Sequence, residues 1–207
     1  ILKPCSLYDL YQFLESHPQA GIVGPKVLNP DGTFQPQCRR GLPTPSASLF
    51  YALKLHRLWP NSRIVGQYLL TYLPIDSANQ VDAVSGSCLL ARREVWQGIG
   101  PLDENIFGFG EDIDWCVSAR KAGWEVWYYP ESVITHLKGL GGAHAKPYHK
   151  ALGMHQAMWV FYRKHLMSTY SWLVTSIVWL GIRTSLLLSL TRVWLRKTSR
   201  TLRSRMF

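Results

Sequence analysis

Between Phe107 and His136 the chain sets acidic residues, a glycine-closed helix, an aromatic strand and a lone histidine in succession. Glu111, Asp112 and Asp114 follow Phe107-Gly108-Phe109-Gly110, a run whose glycines suit a tight loop. Glu111 to Ala122 suits a helix of about three turns, with the acids in its first turn and Gly123 as a left-handed cap. A carboxylate placed there can take the proton from an attacking hydroxyl. It can equally do no more than favour the helix dipole, worth about 0.3 to 1 kcal/mol per acid. His136 offers an imidazole that either joins carboxylates around a divalent cation or serves as a structural hydrogen-bonding group.

Other elements must position these groups. Trp124 to Tyr129 reads as a buried strand stopped by Pro130, and a second short strand ends at His136. Leu7, Leu10, Tyr11 and Leu14 recur at helix spacing near the start of the chain. Ile22 and Val23 form a short strand, and Asp31-Gly32 is a turn leading into Thr33-Phe34-Gln35. Val84-Ser85-Gly86-Ser87 reads as a bend into the apolar strand Cys88–Ala91, where Gly86 would let backbone amides approach a substrate closely. An ordinary bulged strand is the alternative. Arg92-Arg93-Glu94-Val95 begins a short helix ending near Gly98, with its arginines expected at the surface. Arg39 and Arg40 carry guanidinium forks that match phosphate oxygens, and a solvated or structural role is the other reading. Gly41 to Pro45, Pro74 to Asn79 and a mobile Gly139 to Ala145 read as irregular, while His144, His149 and His155 lack paired ligand spacing.

Taken in order, Gly24-Pro25-Lys26, Asn29-Pro30-Asp31-Gly32, Arg39-Arg40 before Pro43, Ser85-Gly86 through Val95, Gly100-Pro101-Leu102-Asp103-Glu104, Glu111-Asp112-x-Asp114 and His136 resemble the glycosyltransferase family 2 enzymes, within them the rhamnosyltransferase-like members. The resemblance covers roughly residues 20 to 165. It implies an α/β fold: the acceptor half of a GT-A type domain over residues 1–145, followed by a helical tail at 146–207. It implies that Asp112 is the base of an inverting transfer with Glu111 beside it, and that Ser85, Gly86, Asp114 and Trp115 meet substrate. It assigns His136 to a Mn or Mg ion. The partners implied are a nucleotide-sugar donor, with dTDP-rhamnose the expected one, and a lipid-linked or polysaccharide acceptor. Enzymes of this family begin with a nucleotide-binding half closing in an Asp-x-Asp motif, which this sequence does not show, so the chain is expected to start inside a gene and to be inactive alone.

Charge divides the chain. All thirteen acids lie at or before Glu131 beside eleven Lys and Arg, a net of −2, whereas the rest carries twelve basic residues and no acid. That shift points to an anionic partner for the tail. Ser168 to Thr191 holds a single charge, Arg183, in a run long enough to reach across a hydrocarbon core of about 30 Å. A mid-span arginine would cost roughly 2.5 to 3.5 kcal/mol, which does not forbid spanning. Yet Arg163 and Lys164 flank one end, with Arg192, Arg196, Lys197, Arg200, Arg203 and Arg205 at the other. Both flanks therefore prefer the cytoplasmic face, favouring a monotopic or re-entrant helix against an anionic membrane surface over a single span. A hydrophobic helix covering a protein partner or the chain's own core is the alternative.

Cys5, Cys38, Cys88 and Cys116 show no pairing motif, which fits a reduced compartment without a zinc ribbon or disulfide framework. Nucleic acid is a poor partner, because the tail's positive charge is interleaved with apolar residues. The reading opposed to an enzyme is an inactive truncated remnant that acts at most as a membrane-binding module.

Overall fold

The computed structural model describes residue 1 and residues 6–106, 109–137 and 147–203, with side chains as far as 196. Two compact units emerge: Ile1–Asp103 with Glu111–Gly141, and Glu104–Gly110 with Gly142–Phe207. The expected loops at Phe107-Gly108 and Gly139 to Ala145, with Cys5 and His144, lie outside the described residues.

The first unit is a mixed α/β layer structure. Helix α1 (Ser6–Ser16) precedes strand β1 (Ala20–Leu28), and β1 runs parallel to the long strand β6 (Glu125–Thr135). The short strands β3 (Asn79–Gln80) and β5 (Leu90–Ala91) add antiparallel edges, giving the order β3-β6-β1-β5. A separate pair joins β2 (Arg39–Arg40) to β4 (Ala83–Val84). Alternation explains β6: Val126, Tyr128, Pro130, Ser132 and Ile134 are buried, and the residues between them are more exposed.

Pro130 does not stop this strand, contrary to the sequence expectation. Pro25 pairs with Tyr129 and Lys26 with Val133, so Pro130 sits within a register shift where the ladder needs no donor from it. The helix expectation at the chain's start also needs correction in phase. Ser6, Leu10, Phe13 and Leu14 face inward, whereas Leu7 and Tyr11 are about half exposed. Leu10, Phe13 and Leu14 pack with Ala20 and Val23, and Trp127 and Tyr129 of β6 cover this cluster.

Helices α2 (Pro45–Ala52), α3 (Arg93–Ile99) and α4 (Glu111–Lys121) complete the unit. The first falls where no helix was expected: Thr44 caps it, accepting from the Ala47 N–H at 3.2 Å, and Pro45 takes the first turn. α4 buries Ile113, Trp115, Cys116, Val117 and Ala119. Its end follows the sequence reading, with Gly123 at φ +94°.

In the second unit α5 (Pro147–His165) and α6 (Trp172–Arg203) form an antiparallel pair. Tyr162 bonds Thr175 near the connection, and His155 bonds Ser185 farther along, each at 3.0 Å. The sheet-bearing unit and the apolar terminal helix agree with the expected fold class.

Candidate active site

The site forms where the end of β4 meets the start of α4. Beyond Val84 the Ser85 N–H donates to Cys38 O at 3.0 Å, while the Ser87 N–H and hydroxyl both reach the Ser85 hydroxyl at 3.2 and 3.0 Å. This bend turns the Gly86 N–H toward α4, where it donates to Asp112 Oδ2 at 2.8 Å. A Cβ at Gly86 would lie 3.3 Å from Asp112 Cβ, so the missing side chain is what lets the carboxylate come this close.

Arg40 approaches the same oxygen. Its position opposite Ala83 in the β2–β4 pair sends Nη2 to Asp112 Oδ2 and to Val84 O at 3.3 Å. Both partners of the ion pair are largely buried, at 11% and 13% side-chain exposure, so water screens their attraction little. Burial by itself pulls the Arg40 guanidinium down, but the Asp112 carboxylate together with the Tyr68 and Cys116 side chains leaves it above the usual arginine value. The other carboxylate oxygen, Oδ1, takes the Ile113 N–H at 2.8 Å. Three donors thus fix a group with about four acceptor directions, leaving one open to a further hydroxyl.

The remaining expected site residues are placed differently. Asp114 is buried at 2% exposure and Trp115 at 6%, and the Trp115 indole N–H donates to Gly100 O at 3.0 Å. Glu111 is half-buried, and its Oε2 has no hydrogen-bond partner among the described residues. Ser85 shapes the bend, with its hydroxyl accepting from Ser87.

His136 lies on the other side of the same bend. It lines a cavity of about 440 Å³ with Ser87, Cys88, Ile134 and Thr135, and its Nδ1 faces Gln35 Oε1 at 3.4 Å. Among the described residues no three His, Cys, Asp or Glu side chains gather to hold a metal ion.

Arg40 was the residue whose part in the site sequence reasoning did not find. The Arg39-Arg40 pair left phosphate contact and a solvated or structural role open, and the two side chains part at successive strand positions, each making structural bonds. Arg39 is 1% exposed, donates to Leu73 O and Pro74 O at 2.6 Å each, and stacks on the Tyr128 ring with 4.9 Å to its centroid. Period-two alternation was the available signal, since adjacent strand residues face opposite ways. Arg92 also departs from its surface assignment: its Nε donates to Ala20 O at 2.9 Å and its Nη2 to Leu14 O, tying α1 to the sheet.

A mixed sheet presenting a clamped carboxylate at a helix start defines a scaffold suited to base-assisted transfer to a hydroxyl. The family model described as "Glycosyltransferase like family 2" matches residues 1–151, and the chain belongs to this family. An N-acetylglucosaminyl-diphospho-decaprenol L-rhamnosyltransferase of Mycobacterium tuberculosis is 33% identical over 135 residues, covering 65% of this chain and 43% of the relative. A low-salt glycan biosynthesis hexosyltransferase, Agl10, of Haloferax volcanii is 32% identical over 102 residues, covering 48% of this chain and 27% of the relative. The chain thus spans less than half the length of either relative.

Proposed function

We propose that the chain supplies the acceptor-side wall, including the base, of a GT-A type enzyme that moves a sugar from a nucleotide donor to a lipid-linked or polysaccharide hydroxyl. The observation that carries this reading is the Asp112 carboxylate, held by Gly86, Arg40 and Ile113 with one acceptor direction free. An incoming hydroxyl donates to that oxygen. As its oxygen bonds to the anomeric carbon from the side opposite the leaving diphosphate, its proton passes to Asp112, and the sugar is inverted. Glu111, with an unpartnered buried oxygen, borders the base, and the Ser85-Gly86 bend forms the floor beside it. Asp114 and Trp115 serve this site from beneath, by packing. A rhamnosyl donor and a polyprenyl-diphosphate acceptor follow the printed name of the mycobacterial relative. A dTDP carrier rests on the family resemblance. A divalent cation, if the whole enzyme uses one, would neutralise the diphosphate and draw at most the His136 imidazole from this region.

The test is a transfer assay on two proteins: this chain alone, and this chain joined to the part of the mycobacterial relative that it leaves unmatched. We expect transfer from the joined protein, loss on Asp112→Asn, and none from the chain alone, which offers one wall of the cleft. A joined protein that folds, binds nucleotide sugar and transfers equally well with Asn at position 112 overturns the assignment of the base.

A further inference from the structure

The second unit presents an apolar face that the sugar-transfer reading does not use. Helix α6 is the one helix among the described residues long and apolar enough to cross a membrane, over Trp172–Arg196, and none of that window is buried. Its half-buried residues, including Thr175, Val178, Ile182, Leu186 and Val193, recur at helical spacing on the side toward α5. The opposite side carries Leu173, Ile177, Leu180, Leu187, Leu188 and Leu195, each at least half exposed. This stripe is uncharged over about 33 Å of helix. Arg183 and Arg192 fall on its two flanks, and Arg163 is exposed on α5 near the connection.

We infer that α6 lies in the plane of an anionic lipid surface, with the Leu173–Leu195 stripe dipped into the acyl boundary and α5 riding on its other side. Pairing with α5 decides against a span. Tyr162–Thr175 and His155–Ser185 tie the helices over residues 155–162, in the second half of α5. An α6 standing along the bilayer normal would carry Gln156, exposed on α5 beside the His155–Ser185 contact, to hydrocarbon depth, where an unpaired polar group is costly. Lying flat lets the stripe meet acyl chains while Arg183 and Arg192 on its flanks meet headgroup phosphates. Charge selects the occupant, because everything after Glu131 is basic without an acid, and that complements anionic lipid. The inference does not depend on sugar transfer and can fail or hold independently of it.

The experiment uses the whole 207-residue chain with vesicles of phosphatidylcholine alone or mixed with phosphatidylglycerol. Binding to the anionic vesicles should exceed binding to neutral ones by at least tenfold and weaken with salt. Leu180→Asp with Leu187→Asp should abolish binding while helicity by circular dichroism stays unchanged, since both side chains are exposed at 60% and 63%. Arg163→Gln and Arg192→Gln should each weaken binding to anionic vesicles about fivefold, leaving neutral vesicles unaffected. Polarised infrared dichroism on oriented bilayers should place the α6 axis near the membrane plane. A helix axis along the normal would overturn the inference, as would equal binding to both vesicle types. Self-association through this face that survives the addition of anionic vesicles would assign it to a second copy of the chain instead.

Discussion

Arg40 and Asp112 stand 72 residues apart in sequence and form a largely buried ion pair on the same carboxylate oxygen that receives the Gly86 N–H. The pair joins β2 to α4, beside the Gly86–Asp112 bond and the Arg120–Asp82 ion pair that tie the same helix to the β4 side. Removing either charge alone leaves the other buried without its partner, which costs on the order of 3 to 5 kcal/mol in such settings. Arg40→Met should therefore lower the denaturation midpoint of the chain strongly. The double change Arg40→Met with Asp112→Asn should be less destabilising than the sum of the two single changes, a coupling read from urea titrations of all four proteins. Additive single effects would mean that the pair contributes nothing to the fold.

Gly86 makes a separate prediction, because its missing Cβ sets how near the bend can lie to Asp112. A methyl group there would press on Asp112 Cβ from 3.3 Å, so one of the two must move by a few tenths of an ångström. Gly86→Ala should cost about 1 kcal/mol in stability and, in the joined protein, reduce kcat about tenfold as the clamp on Asp112 loosens. Gly98 in α3 is the control. A Cβ there meets nothing within 4 Å, and Gly98→Ala should leave transfer unchanged and raise stability by about 0.5 to 1 kcal/mol. Equal effects at the two glycines would sink the argument for a close approach at Gly86.

Much of this was legible from spacing. The helix at Glu111, its glycine cap and the bend at Gly86 are local matters of turn chemistry and 3.6-residue period, and these elements stand where the sequence put them. Pro130 misled because a proline ends a strand only where the ladder needs its N–H, and whether a bulge removes that need depends on the partner strand. Leu7 and Tyr11 misled because helical spacing locates a stripe without saying which of two neighbouring stripes faces the sheet. Arg40 stayed hidden for a tertiary reason. Its partner is brought by a strand pairing that no local signal announces, so the sequence left phosphate contact and a solvated or structural role open without naming Asp112 as the partner.

Asp112 itself is tested by a substitution that keeps its shape. Asn can still accept from Arg40 or Gly86 through its carbonyl, so Asp112→Asn should keep the local geometry while removing the proton acceptor, at the stability cost argued above, and turnover is compared at a temperature where circular dichroism shows both joined proteins folded. We expect kcat to fall by at least about a hundredfold, within the range for loss of a general base, with KM for the nucleotide sugar nearly unchanged. A rise in KM with kcat preserved would recast Asp112 as a substrate-holding group.

The last prediction concerns alkaline stability, where six thiol and phenol groups, Cys38, Tyr68, Cys88, Cys116, Tyr128 and Tyr129, act in the same direction. Burial pushes the Cys116 thiol of α4 up to about 12 from an ordinary value of 9.0. The Tyr129 hydroxyl, donating to Glu131, is also held up at about 12, and burial raises Tyr128. For an acid whose value is raised on folding, the folded state keeps a proton that the unfolded chain has already released. Cys116 therefore stabilises the fold fully below about pH 9, and that contribution is lost as pH rises through about 12. The urea midpoint should be level from pH 7 to 8.5 and fall steadily between pH 9 and 11. Cys116→Ala should flatten part of this fall without removing it, because the other groups remain. In the same window the half-buried Cys88 should react with iodoacetamide well before Cys38 or Cys116, which are both buried. Rapid alkylation of Cys116 in the native chain at pH 8.5 would contradict the sealed packing of α4 against the sheet, and with it the clamp on Asp112 that this packing supports.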